Sequence, residues 1–422
     1  MNDTNRNSVG RKKDRKATAN SWCESLLVQA IFMAVLSSLL LKSATAAETP
    51  GIVKDKPTAG RFVKIDRGYM VPYKVQITGT DASFWMEPIP GGRFTMGSPA
   101  SEPGRSEIEG PQIEVNVDPF WMARHEVTQG QYRHYMKMYS IFKNFSYKKY
   151  TTIKDEKNIT EVDAVSAPTV IYEPAYVFEY GEHVDMPIIT VTLYAAKQYS
   201  KWMSLITESQ FRLPTEAEWE YACRAGTKTA WHFGDDPKQL SDYAWYKENS
   251  YDAGWRKVGL KKPNPWGLYD MYGNVAEWTH DHCVKYTTSD FVRNAAQNWS
   301  RTDKIDPRTV RGGSWEFPAE KCRSASRLPS DHETWRDYDP DLPKSPWWFT
   351  TDPARGIGLR LMRPLKPMSS QQRQEFWEPT NDDTRYDVND RIDEGRGAIG
   401  RVSKALMKAI QADNIAKQRE PK

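Results

Sequence analysis

The sequence predicts a mixed α+β domain with much irregular backbone. Three observations point there. Only three stretches carry helix-length amphipathic spacing, and the apolar runs elsewhere are short and broken by many of the 25 Gly and 27 Pro. Tryptophan is abundant, with 15 of the 16 lying beyond residue 47. Large aromatic rings can pin backbone that has no regular hydrogen-bonded ladder.

The elements follow in order along the chain. Residues 1–47 read as a signal peptide: Arg6, Arg11, Lys12, Lys13, Arg15 and Lys16 precede the apolar run Leu26–Leu41, and Ser43-Ala44-Thr45-Ala46-Ala47 supplies small residues for cleavage. An apolar run of that length is short for a membrane span. An exported protein, periplasmic or secreted, is therefore expected, with an uncleaved anchor as the rival reading. Residues 48–83 form a lead-in punctuated by Pro, Gly and Lys, with room for one edge strand. Residues 84–364 form the main domain.

Within that domain, Thr128-Gln129-Gly130-Gln131 has capping-box spacing ahead of Tyr132–Tyr139 and predicts a helix start. Thr192 precedes a helix whose Ala196, Tyr199, Met203 and Ile206 share one face. Pro214-Thr215-Glu216-Ala217-Glu218 predicts a third start, with Thr215 as cap and Glu218 reaching back. Residues 365–422 turn polar and charged, with Val402, Leu406 and Ile410 at helical spacing. They read as an extension that docks or stays partly loose, and not as a second catalytic domain.

Charge narrows the function classes. The leader holds seven Lys/Arg against three Asp/Glu, and the remaining 375 residues hold 52 of each sign. A balanced mature chain gives no electrostatic case for nucleic acid, or for a membrane once the leader is removed. No P-loop, dinucleotide fingerprint or HExxH occurs. Beyond the leader three cysteines remain, Cys223, Cys283 and Cys322, with no CxxC pair. In an oxidising compartment one disulfide plus one free thiol is the simplest expectation. His280-Asp281-His282-Cys283 looks like metal chemistry but has no third ligand nearby in sequence, so it reads as a solvent-facing loop.

Six blocks, in order, resemble the sulfatase-modifying-factor, or formylglycine-generating enzyme, family. They are Ile89–Ser98; Phe120-Trp121-Met122 with Glu126-Val127-Thr128; Pro187–Thr192; Phe211–Ala222; Asn264–Trp278; and Arg311–Trp315, closed by Gly356-Ile357-Gly358-Leu359-Arg360. The resemblance covers about two thirds of the chain and implies a C-type-lectin-like α+β domain. It also implies a chemistry, oxidation of a sulfatase cysteine to formylglycine by oxygen and copper(I). Copper(I) is soft and favours a pair of thiolates.

In that subfamily the first cysteine stands two residues after the Ser-aromatic pair and the second five further on. Here the first place holds Phe317 and the second Cys322. Aligning on Arg323-Ser324-Ala325-Ser326-Arg327 instead shortens the loop and leaves Cys322 no copper role. Either way the loop carries one thiol, and copper is not expected as a cofactor.

The resemblance implies further assignments. Cys223 and Cys322 match a disulfide pair, which competes with a catalytic role for Cys322. Ser314 falls at the floor of the family cleft as a candidate catalytic residue, with a turn serine holding the loop as the alternative, and Trp278, Trp315 and Phe317 are candidate walls. Asp270, Gly273, Val275 and Glu277 match a structural calcium site, an oxygen-rich set suited to a hard cation. Three readings stay open: a diverged member acting on or binding a protein or small molecule, an active oxidase of the formylglycine-generating type, and a non-catalytic binding module.

Overall fold

The structure is a computed structural model, and it describes residues 49–144, 164–171, 177–287, 293–297, 299–300, 306–330, 335, 345–349, 354–379 and 381–419. The leader lies outside the described residues. No helix among those described is long and apolar enough to cross a membrane.

The lead-in contributes more than an approach path. Strand β1 (Tyr73–Gln76) pairs antiparallel with β2 (Ser83–Ile89), so the domain begins before residue 84. Next come β3 (Gly92–Met96), β4 (Ile113–Val117) and β5 (Phe120–Ala123). Strand β4 alternates buried and more exposed residues, as a half-buried strand should.

All three expected helices form where their caps place them. Helix α1 (Gln129–Lys143) starts at Thr128, and its Thr128–Gln131 capping box is closed in both directions. After β6 (Ala164–Pro168), helix α2 (Leu193–Thr207) starts at Thr192, whose hydroxyl accepts from the Ala195 amide. Helix α3 (Glu216–Arg224) starts at Thr215 with the Thr215–Glu218 box.

The chain continues through β7 (Ala276–His282), β8 (Arg293–Asn294), β9 (Arg308–Arg311), β10 (Arg327–Pro329), β11 (Ile357–Gly358) and β12 (Met362–Pro364). The extension then forms α4 (Ser370–Trp377), α5 (Asp382–Asp393), β13 (Gly397–Arg401) and α6 (Lys404–Arg419).

Five small sheets result among the described residues: one joins Ile52–Val53, Gly68–Met70 and Val63–Ile65 in that order, and the others have strand orders β12-β5-β2-β1, β10-β9-β7-β11, β8-β4-β3 and β13-β6. Most pairings are antiparallel, and β7–β11 and β8–β4 are parallel. The extension is thus part of the fold: β13 pairs with β6 along its whole length, from Gly397 opposite Pro168 to Arg401 opposite Ala164.

Helix α3 occupies the centre. Every residue of it is buried, including Glu216, Glu218 and Glu220. Burying carboxylates is tolerable only when cations answer them. Arg327 grips Glu216 at 2.6 and 2.8 Å, Arg212 grips Glu218 at 2.7 and 2.7 Å, and Arg224 and Arg311 both meet Glu220. This lattice ties α3 to β9 and β10. Between α1 and α2 an aromatic layer of Tyr132, Tyr135, Tyr199 and Trp202 packs with ring centroids 5.2–5.8 Å apart.

Candidate functional site

Strand β9 delivers the chain into Gly312 and Gly313, both in the left-handed region at φ +96° and +70°. A Cβ at Gly313 would stand 2.5 Å from the Cys322 sulfur and 2.8 Å from the Lys321 carbonyl, so only glycine lets the loop fold back this closely. The loop is then stitched by backbone. Trp315 donates to the Asn274 carbonyl at 2.9 Å, Phe317 donates to Ser314 at 3.1 Å, and the Cys322 amide donates to Ala319 at 3.0 Å.

The structure sorts the expected site residues sharply. Cys322 is fully buried, its thiol lying 4.0 and 3.9 Å from the Ser314 and Phe317 carbonyls. Burial pushes that thiol far above the usual range, and Glu248 and Glu320 push the same way. A thiol raised in this way holds its proton at neutral pH. Ser314 is also fully buried, with its hydroxyl 3.4 Å from a Glu316 carboxylate oxygen.

The expected Cys223–Cys322 disulfide is not formed: Cys223, Cys283 and Cys322 are all free and buried. The two sulfurs are committed to different carbonyls, that of Cys223 to Met271 at 3.7 Å and that of Cys322 to its own loop. Burial pushes the Cys223 thiol up to about 12.

The candidate wall residues separate as well. Trp278 is 1% exposed, donates its indole N–H to the Val191 carbonyl at 2.8 Å and packs on Trp335 and Phe349. It packs in the core. Phe317 is half-buried against the core around α3. Trp315 joins a different group, with its ring 5.2 Å from Tyr180, 6.1 Å from Trp255 and 6.1 Å from Tyr251. Tyr251 is 52% exposed, so this aromatic group reaches solvent. The indole N–H groups of Trp255 and Trp315 are buried without an acceptor.

His280 and His282 lie on β7 and are buried, which corrects the expected solvent-facing loop. The neighbouring Asp281 accepts from the Glu216 and Ser300 amides at 2.7 and 2.8 Å. Burial, with Glu216 adding, pushes its carboxyl up to about 7.

Of the four residues matched to a calcium site, both carboxylates are buried. Glu277 has all its acceptor capacity filled. Arg360 donates to it through Nε at 2.9 and 3.0 Å and Nη2 at 2.6 Å, and the Trp219 indole donates at 2.7 Å. Asp270 and Gly273 both have positive φ, and a Cβ at Gly273 would fall onto the Trp245 carbonyl. Val275 is fully buried beside them in the chain. Asp270 Oδ2 accepts from the Gly259 amide at 2.6 Å, while Oδ1 is buried without a partner.

Sequence reasoning missed Glu126. It is fully buried, takes the Asn274 amide on Oε1 at 3.0 Å and leaves Oε2 without a partner. Burial and the nearby Asp270 raise the Glu126 carboxyl well above its ordinary range, and burial raises Asp270 to about 6. An acidic residue two places before a helix cap was the signal available. Among the described residues no group of three or more His, Cys, Asp or Glu side chains is placed to hold a metal.

Fold and loop together define a C-type-lectin-like α+β protein of the formylglycine-generating type. Residues 84–338 match the sulfatase-modifying factor enzyme 1-like domain, and the chain belongs to that family. It is 28% identical over 275 residues to serine/threonine-protein kinase pkn1 of Chlamydia pneumoniae, covering 64% of this chain and 38% of that relative. The chain thus spans well under half the length of that protein. It is 28% identical over 295 residues to the formylglycine-generating enzyme of Mycobacterium tuberculosis, covering 58% of this chain and 92% of that one. Similarity extends to the inactive C-alpha-formylglycine-generating enzyme 2 of Bos taurus, at 28% over 254 residues, 54% of this chain and 76% of that one. Among solved structures, PvdO from Pseudomonas aeruginosa superposes with a TM-score of 0.50 at 25% identity, covering 68% of this chain and 97% of that one.

Proposed function

We propose that this chain is an exported, diverged family member whose Gly312–Arg323 loop helps form a binding surface for a protein or small molecule and does not oxidise cysteine through copper. One observation carries the reading: the only thiol of the loop, Cys322, is fully buried and held protonated, and Phe317 occupies the first thiol position. Copper(I) is soft and favours thiolate ligands, and a single buried, protonated thiol offers it none. Similarity to a relative named inactive supports the same direction.

The surface that remains is aromatic. Beside the loop the exposed ring of Tyr251 and the half-buried ring of Tyr180 rest on the buried indoles of Trp315 and Trp255, and give a rigid flat face suited to stacking. Calcium has no part in this reading, because Glu277 is already neutralised by Arg360.

The test uses the chain from residue 48 onward, supplied with copper(I), oxygen and a sulfatase-type cysteine peptide, and read by mass spectrometry. The expected result is no formylglycine above a protein-free control. Multiple turnovers would overturn the proposal and restore the oxidase reading.

A further inference from the structure

One face of α2 fastens the C-terminal extension to the family domain. Helix α4 ends at Trp377, and the last carbonyls of an α-helix find no partner within it. Side chains of α2 supply the missing donors. Lys197 donates to the Glu375 carbonyl at 2.8 Å and to that of Glu378, and Gln198 donates to that of Trp377 at 2.9 Å. One turn further along α2, Lys201 meets the Glu378 carboxylate at 2.5 Å. The Trp377 indole answers in the other direction, donating to the Phe211 carbonyl at 2.8 Å.

Lys197 is the informative member. It is 4% exposed, and both of its acceptors are uncharged carbonyls. A lysine ammonium carries three N–H donors, and the neutral amine carries two. The site therefore offers as many acceptors as the neutral amine has donors. Protonation would add a third N–H and a full charge to a buried place, which is costly without a counter-ion of its own. The Glu378 carboxylate is already engaged by Lys201.

Charged neighbours come from each element packed on it: Lys201 on α2 itself, Arg308 on β9, Glu375 on α4, Glu378 just beyond it and Arg385 on α5. Burial, the largest influence, lowers the amine to about 7; Arg308 and Arg385 push the same way, and Glu378 and Glu375 push back. Release of the extension would return the amine to water, where a lysine titrates near about 10. Between these two values the docked chain binds fewer protons than the released one. Docking therefore strengthens as pH rises through that window and weakens as it falls, and below it the dependence ends.

We propose that Lys197 makes the docking of the C-terminal extension pH-sensitive: the extension is held most tightly around the neutral amine and loosens when that amine takes up a proton. The device sits at the one place where three side chains of a single helix hold the end of another, so a change at one nitrogen acts on the whole of α4.

Hydrogen exchange of the protein from residue 48 onward, read by mass spectrometry at pH 7, 8 and 9 and corrected for intrinsic rates, tests this. At pH 7 the amides of α4 are expected to exchange faster than those of α3, because the extension opens without global unfolding. Their protection should then rise with each pH unit, by up to about tenfold. Lys197→Gln keeps two N–H donors and does not titrate, so its α4 protection should change by less than about twofold over the same range. A second measurement needs no variant: with lysine labelled at Cε, one NMR resonance of the native protein should titrate with a midpoint of about 7. The proposal falls if α4 protection is flat with pH, if Lys197→Gln keeps the wild-type slope, if α4 and α3 exchange together at pH 7, or if every lysine resonance titrates above about 9.

Discussion

Replacing Arg360 with Met tests the electrostatic logic beneath the loop. The guanidinium is fully buried and holds Glu277 through three contacts of 2.6–3.0 Å. It also donates to the Ala123 and Tyr269 carbonyls at 3.0 and 2.8 Å and lies 3.9 Å from Glu126. Methionine would keep most of the volume and remove the only charge answering Glu277. Removing one partner of a buried ion pair costs about 3–5 kcal/mol, and each orphaned carbonyl adds on the order of 1 kcal/mol. A loss of about 4 kcal/mol or more is therefore expected at pH 7.5. It should shrink by at least about 1.4 kcal/mol at pH 5, because acid neutralises the stranded carboxyl groups. Urea unfolding followed by tryptophan fluorescence at both pH values measures it. The double variant Arg360→Met/Glu277→Gln should recover part of the loss. A deficit below about 1.5 kcal/mol, or one indifferent to pH and to the second substitution, would refute the reasoning.

Further outcomes are expected elsewhere. Native protein should resist a small thiol-specific alkylating agent, and after unfolding without reductant Cys223, Cys283 and Cys322 should all be labelled; a Cys223–Cys322 bridged peptide in the map would contradict the structure. Asp281 binds its proton more tightly folded, at about 7, than an ordinary carboxyl near 4. Stability from this group is greatest in acid and is lost as pH rises from about 4 through 7, so Asp281→Asn should flatten that part of the stability curve measured in urea. Trp278→Ala should cost about 3–5 kcal/mol as a core deletion, whereas Tyr251→Ala, at an exposed ring, should leave the urea midpoint nearly unchanged.

Local signals were legible wherever one segment contains its own partner. The three helix starts are written in Thr128–Gln131, Thr192–Ala195 and Thr215–Glu218, and each is satisfied within four residues. The family blocks likewise located the loop and its glycines. What could not be read locally depends on residues far apart in the chain. Glu126 and Asn274 meet across 148 positions, and no periodicity marks that meeting. Trp278 and Trp315 look equivalent in sequence, each after a small or acidic neighbour, yet a backbone carbonyl at Val191 draws one into the core. The polar extension read as loosely docked because the groups that hold it stand far back in the chain on α2, where Lys201 pairs with Glu378 across 177 positions. Lys197 donates to the Glu375 and Glu378 carbonyls, and Gln198 donates to that of Trp377.

The pairing of β13 with β6 has a consequence for the order of events during synthesis. Ala164–Pro168 emerges early and is buried on both faces in the finished protein, and its partner strand Gly397–Arg401 is made more than 200 residues later (397 − 168 = 229). Until then its ladder edge is open, a state that invites pairing with other chains. A polypeptide crossing a membrane before folding would pass through that interval on the far side, away from the ribosome. The late strand therefore acts as a completion signal, and a chain cut off between α4 and β13 is expected to aggregate although every residue matched to the family is present.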